Sequence, residues 1–494
     1  MKQFAAVTLT LLISLLLAAP AARADLAEDI GQILGDKLLS RADVGIDVVR
    51  MGKSADDSTR IYQMNPALPL VPASNLKVIT TSAALQRFGG DFKFRTLLLY
   101  HDGDLILVGD GDPTFGDAEL LKKVGWDVNT VFKTWATGLA QKQFRAARNL
   151  LVDDSVFDDQ FLHPSWPADQ TQKRYVAEIA ALNLNANCID VYVSPGGYGR
   201  LVDFTTDPKT NYVTIRNSCV EGAQNAVWLS RTPGTNNLIL RGTARSANDV
   251  PVSVTVQDPP MYAGAVLAEN LRDAGVKLSG EVRRDRTMRA QYLNARAVGD
   301  GSWALLAVHE TPLSSVIDRA NKDSMNLYAE CLCKRLGFAE FGQGTWANGT
   351  RAVANFLDSL QIPSSQYNLD DGCGLSKSNT ISAHLMVTVL THDYFSLSSD
   401  IWMGSLAVAG EDGTLSERFR GSDLRGRVIA KTGFVNGVSC LSGYLRARDD
   451  NWYCFSILLN GIPLGSNSGA KYLEERIVRA IDQHAQAIAQ ARAN

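Results

Sequence analysis

Apolar and polar positions alternate in two rhythms along this chain, and their succession predicts a mixed α/β architecture. After residue 74 a helical run extends to Leu85, with Leu76, Ile79, Ala83 and Ala84 able to form one packed face and Gly89-Gly90 supplying a stop. Residues 427–430, 438–445 and 452–460 read as strands, the last two separated by the turn-like Asp449-Asp450-Asn451. Strand signals at 95–100, 104–108 and 149–152 are mixed with a helical run at 128–139. A strand- and turn-rich middle follows, at 212–216, 227–231, 237–241 and 252–256, then a helix over 261–274 and a strand at 282–284. The run 470–493 is amphipathic, with Leu473, Ile477, Val478, Ile481 and Ala485 in phase. Its charges are mixed and it lacks a basic face with aromatic anchors, so packing on a sheet is expected rather than binding to a membrane surface.

The N-terminus departs from both rhythms. Lys2, an apolar stretch at 5–19 and Ala22-Arg23-Ala24 make residues 1–24 a secretory signal peptide with cleavage before Asp25. The stretch is shorter than the roughly 20 residues a membrane span needs. The expected location is the periplasm or the extracellular space, with at most peripheral membrane association. Lys and Arg number 49 against 52 Asp and Glu, a mildly acidic balance with no nucleic-acid footprint. The 45% hydrophobic content is ample for several cores. Of seven cysteines, Cys188 and Cys219 are the first expectation for a bridge in an exported chain, and the odd count leaves one thiol over. Cys331-Leu332-Cys333 has no histidine cluster beside it and reads as buried helix cysteines. His309 and His392 read as structural. No histidine spacing suggests a metal site, so neither metal nor cofactor is expected.

The chemistry lies in three short motifs. Ser74-Asn75-Leu76-Lys77 places a hydroxyl and an amine at i and i+3, on one face of a helix. A serine hydroxyl is a weak nucleophile and needs a base. Downstream come Ser324-Met325-Asn326 and Lys431-Thr432-Gly433, and the ordered set describes a serine acyl-transfer site with a lysine base. Lys431 is expected to lower the proton affinity of Lys77 by like-charge repulsion. Each motif alone is weak: Ser468-Gly469-Ala470-Lys471 also matches the first, and Ser246-Ala247-Asn248 the second. Order and context separate the set from these decoys. About 250 residues separate Lys77 from Ser324, more than one compact fold needs between its first two motifs, so one or two domains are inserted there.

The mature chain resembles the penicillin-binding protein 4 type of D-alanyl-D-alanine carboxypeptidase and endopeptidase, the low-molecular-mass class C penicillin-binding proteins of peptidase family S13. The resemblance rests on Pro72–Lys77 with residues 80–85, on Gly109-Asp110-Gly111-Asp112-Pro113, and on residues 152–157 with Trp166. Residues 371–376 and 409–415 also carry it, as does the long insertion. It departs from the family at Cys373, where serine is usual, and at Phe434-Val435. The resemblance implies a β-lactamase/transpeptidase-like domain, an antiparallel sheet flanked by helices, at 25–94 and 298–494. It implies two nested inserted domains, one at 95–194 with 274–297 and an inner, mostly β one at 195–273.

It also implies Ser74 as nucleophile, Lys77 as its base, and Ser324 with Lys431 as the proton path to the leaving amine. Asn326 would hold the substrate amide, Thr432 and Gly433 the terminal carboxylate, and the N–H groups of Ser74 and Phe434 the oxyanion. An aspartate of the inserted domain, matched here by Asp153, would pair with a substrate ammonium, with Lys377 and Asn436 nearby. Peptidoglycan peptides are the implied substrates and β-lactams the implied covalent inhibitors. Two other readings share parts of this pattern: a serine β-lactamase, which usually lacks the insertion, and a non-catalytic peptidoglycan-binding module, against which the intact motifs speak.

Overall fold

The computed structural model describes residues 25–493, so the signal-peptide reading of residues 1–24 lies outside the described residues. The two ends of the chain close one sheet. Its six strands run in the order Ala407–Val408, Val428–Val435, Val438–Arg446, Trp452–Asn460, Asp43–Arg50 and Thr59–Met64, each antiparallel to the next. Both faces are covered, and the strand period sorts side chains between them. Cys440 and Tyr444 point to the core that holds Leu76, Ile79 and Ala83. Leu441 and Leu445 point to the opposite core, with Leu473, Ile477, Val478, Ile481 and Ala485 of the helix Asn467–Ala493. Each buried Leu or Ile there stabilises the fold by about 1.5–3 kcal/mol relative to exposure. The amphipathic C-terminal run is thus a sheet-packing helix. Among the described residues no helix is long and apolar enough to cross a membrane.

The helix Leu76–Phe88 differs from its pattern. One packed face was expected, yet every residue from Leu76 to Leu85 is buried, polar ones included. Up to Leu85 it runs through the interior between the sheet and the helices Leu313–Lys322, Asn326–Phe341 and Ala383–Tyr394, and only its last turn, with Gln86 and Arg87, meets water. Two of its hydroxyls find carbonyl acceptors: that of Thr81 donates to Lys77 O at 2.6 Å and that of Thr80 to Gly372 O at 2.7 Å.

Between Phe88 and Leu313 the chain leaves this body and builds other sheets. A five-stranded one runs Val282–Arg284, Leu150–Asp153, Asp104–Val108, Lys93–His101 and Ala304–Pro312. The helices Val128–Gln141 and Pro259–Asp273 pack on one face of it through Phe132, Tyr262 and Val266, and Tyr292 of the helix Met288–Ala297 on the other. Smaller sheets follow, one centred on Cys188–Ser194, which the pattern did not mark, and one on Asn237–Ala244, where the strand-rich pattern placed a strand.

All seven cysteines are free and buried, so the expected Cys188–Cys219 bridge is absent. Cys219 packs with Val191 and Val193. Cys188 lies an odd number of residues from both on the same strand, which turns its side chain to the other face.

Candidate active site

Ser74 sits in a single 3-10 turn, Ala73–Asn75, that leads into the buried helix. Ala73 adopts φ +47°, a left-handed conformation that a non-glycine residue accepts only under local constraint. Two glycines supply that constraint by letting other backbones close on the turn. A Cβ on Gly374 would lie 1.9 Å from Ala73 O, and one on Gly433 would lie 2.4 Å from Pro72 O. The glycine of the Lys-Thr-Gly motif is therefore needed for the strand Val428–Val435 to reach the serine. From below, the Asn75 side chain donates to Ser442 Oγ at 2.7 Å.

Lys77 Nζ is the hub. It lies 2.9 Å from Ser74 Oγ, 2.7 Å from Asn326 Oδ1 and 2.8 Å from Cys373 O. The side chain is fully buried, and burial holds its proton affinity below the ordinary lysine value, against the opposing pull of Cys373, Asp371 and Glu330. Burial leads this shift, and the like-charge repulsion expected between the two lysines is registered at Lys431. Lys431 is also fully buried and pushed well down, by burial first and by Lys77 second. Its Nζ donates to Ser324 Oγ and to Thr432 O, both at 2.9 Å. Ser324 is held at φ +57°, immediately before the helix Asn326–Phe341. The motifs therefore meet as two lysine–serine pairs with Asn326 against one of them. The arrangement can deprotonate Ser74 and return a proton through Ser324.

The cleft in front of Ser74 has a volume of about 1270 Å³. Ser324, Asn326, Lys377, Phe434 and Asn436 line it, and Lys377 Nζ donates to Asn436 O at 3.3 Å. Thr432 is half-buried and its hydroxyl meets that of Thr414 at 3.0 Å. Asp153 is elsewhere. It is fully buried at the end of Leu150–Asp153, where its carboxylate accepts the N–H of Ser155 at 2.8 Å and of Arg289 at 2.6 Å. It ties a strand to the first turn of the helix Met288–Ala297 and cannot meet a substrate. The aspartate in the cleft is Asp169, in an irregular segment that also presents Ser165, Gln170, Lys173 and Tyr175. Asn326 Nδ2 donates to Tyr175 O at 2.8 Å, so this segment touches the catalytic group directly.

Two buried carboxylates fold the loop that offers Cys373 O to Lys77. Asp371 accepts the N–H groups of Cys373, Gly374 and Ser376 and the indole N–H of Trp166. Glu330 accepts Gly372 N–H and the indole N–H of Trp346. Glu330, Asp371 and Cys373 lie close enough together to suggest metal ligands. Their hydrogen bonds to the loop's own donors account for the cluster. Neither carboxylate role follows from the motifs, although residues 371–376 already stood out in the resemblance.

The class that this fold and geometry define is the active-site-serine acyl-transfer enzyme with a lysine base, on a β-lactamase/transpeptidase-like scaffold. The chain belongs to the D-Ala-D-Ala carboxypeptidase 3 (S13) family, whose model matches residues 26–484. It is 32% identical to the D-alanyl-D-alanine carboxypeptidase of Actinomadura sp. (strain R39), over 92% of this chain and 86% of that one. It is 25% identical to D-alanyl-D-alanine carboxypeptidase DacB of Haemophilus influenzae, over 87% of this chain and 88% of the relative. The crystal structure of penicillin binding protein 4 from Haemophilus influenzae superposes with a TM-score of 0.72 at 22% identity, covering 92% of this chain and 99% of that one. That match shows the fold.

Proposed function

We propose that this protein is a serine D-Ala-D-Ala carboxypeptidase and/or DD-endopeptidase acting on peptidoglycan peptides through an acyl-enzyme on Ser74. The observation that carries the reading is the buried Lys77 amine 2.9 Å from Ser74 Oγ. Neutral Lys77 takes the Ser74 proton as the oxygen attacks the carbonyl of the penultimate D-Ala. The N–H groups of Ser74 and Phe434 hold the oxyanion, and one such donor is worth about 100- to 1,000-fold in rate. Ser324, backed by Lys431 at 2.9 Å, protonates the departing amine. Lys431, Thr432 and Gly433 cradle the terminal carboxylate, and Asn326 holds the substrate amide. Water then releases the peptide.

A β-lactam acylates the same serine, but its leaving group stays attached and blocks water, so the adduct persists. Asp169 takes the place expected of Asp153, pairing with a substrate ammonium, and Lys377 and Asn436 complete that wall of the cleft.

The middle of the chain is read as two nested inserts, the inner one at 195–273. The outer sheet also takes in Lys93–His101 and Ala304–Pro312, which extends the insert at both edges. Export to the periplasm or beyond follows from the N-terminal leader pattern.

Purified protein should be labelled by a fluorescent penicillin and lose all labelling in Ser74→Ala. Equal labelling of the variant would overturn the assignment. Mass analysis of digested cell-wall fragments then separates the two activities: released D-Ala marks carboxypeptidase action, and conversion of crosslinked dimers to monomers marks endopeptidase action.

A further inference from the structure

A chain of charged groups, buried at Asp117 and Arg319 and exposed at Asp323, links the inserted region to the catalytic loop, and the chemistry above does not use it. Asp117 lies in the inserted region at the start of a short helix, Ala118–Lys122, where its Oδ1 accepts the N–H of Glu119 at 2.9 Å and of Leu120 at 3.2 Å. It is only 1% exposed, so water cannot serve its remaining lone pairs. The catalytic body serves them instead. Arg319 Nη2 donates to Oδ2 at 3.0 Å and to Oδ1 at 3.3 Å, and the Tyr328 hydroxyl donates to Oδ2 at 2.5 Å. Arg319 and Tyr328 are themselves buried, at 8% and 0% exposure. Burial opposes the charge of Arg319, but Asp117, Tyr328 and Asp323 together more than offset it, and the guanidinium is held above its ordinary value.

Arg319 has a second arm. Its Nη1 donates to Asp323 Oδ2 at 2.5 Å, and its backbone carbonyl accepts the N–H of Met325 at 3.3 Å. The residues on both sides of Ser324 are therefore tied to one arginine. Ser324 needs this, because φ +57° is unfavourable for a serine and persists only where its surroundings impose it. The Lys431–Ser324 hydrogen bond depends on that turn.

We propose that Asp117 is a positioning residue for the reaction: through Arg319 it fixes the left-handed turn at Ser324, so the inserted region sets the geometry of the catalytic loop as well as walling the cleft. The proposal rests on the reading of Ser324 as the proton relay. It also gives the insert a part in reactions whose substrate never touches the cleft wall, such as acylation by a small β-lactam.

Asp117→Asn tests it, because asparagine still caps the helix and still accepts from Tyr328 but removes the charge that orients Arg319. The full-length enzyme, with its fold checked by circular dichroism and melting, is assayed for acylation by benzylpenicillin. The acylation rate constant should fall about 10- to 100-fold, the penalty typical of a misplaced catalytic group, while the dissociation constant of the preceding complex changes less than about twofold. The loss should not add to that of Ser324→Ala in a double-mutant cycle, since both act on one group. A folded Asp117→Asn enzyme that acylates at the wild-type rate overturns the proposal, as does full additivity with Ser324→Ala. Wild-type acylation by Ser324→Ala would strike the relay reading, and the proposal with it. If Asp117→Asn does not fold, Tyr328→Phe removes one donor to Asp117 and replaces it. It should slow acylation several-fold with the same dependence on Ser324, and an unchanged rate would count against the proposal in the same way.

Discussion

The floor and the wall of the cleft are built by opposite rules. The floor consists of Ser74, Lys77, Asn326 and the 371–374 loop, with polar groups buried and hydrogen-bonded to one another. The wall, residues 165–175, is exposed or half-buried apart from Trp166, irregular, and held by a few anchors such as Trp166 to Asp371 at 3.0 Å. Burial makes the floor chemically extreme, because desolvation weakens a lysine's hold on its proton and so favours its use as a base. Exposure leaves the wall able to meet substrates of different shape without disturbing the reacting groups. The contrast teaches that chemistry and recognition are separable here, except where Asn326 meets Tyr175 O at 2.8 Å and where Asp117 reaches Arg319.

The contrast breaks first at Lys77. Lys77→Ala should reduce acylation by penicillin about 1,000-fold, within the range a general base supplies, and a loss under tenfold in stopped-flow acylation would remove it as the base. Next comes the pH dependence of the floor. Burial first, and the charge of Asp371 second, push Glu330 from 4.5 up to about 7. The folded chain then binds this proton more tightly than the unfolded one. The contribution to stability is full below about pH 4.5 and is lost as pH rises toward about 7. Glu330→Gln should flatten that decline in melts taken across the window, and an unaltered slope would refute the assignment.

On the wall, Asp169→Asn should lower kcat/KM about tenfold for a peptide bearing a free ammonium, the scale of one charge-assisted bond. The loss on that peptide should exceed the loss on penicillin; equal losses would place Asp169 with the chemistry instead. The smallest effect separates Asp169 from Asp153. Asp153→Asn should cost about 1 kcal/mol of stability through one weakened backbone hydrogen bond, leaving the KM for the same peptide unchanged. A raised KM would return Asp153 to the site.

Legibility followed burial and regularity. Ser74 and Lys77 could be read because helical spacing fixes their relation locally, and the strands at 427–430, 438–445 and 452–460 because apolar runs mark a sheet covered on both faces, although the first runs on through the Lys-Thr-Gly motif to Val435. Asp153 misled because it sits in a stretch resembling the family's inserted domain, and only its capture by the N–H groups of Ser155 and Arg289 shows that it faces inward. The Cys188–Cys219 pairing failed because nearness along the middle of the chain says nothing about which face of a strand a thiol occupies. Asp169 was missed because an exposed loop of polar residues carries no period.

The sequence alone determined which residue types could react, their order along the chain, and that a large insertion divides them, because short-range spacing and long apolar runs are properties of a linear chain. Tertiary structure alone decided that Cys373 O is the third partner of Lys77, that burial lowers Lys77, that Asp169 and not Asp153 enters the cleft, and that Asp117 reaches the catalytic loop. Each of these depends on groups far apart in the chain sharing a space from which water is excluded or admitted, and only the folded arrangement determines that.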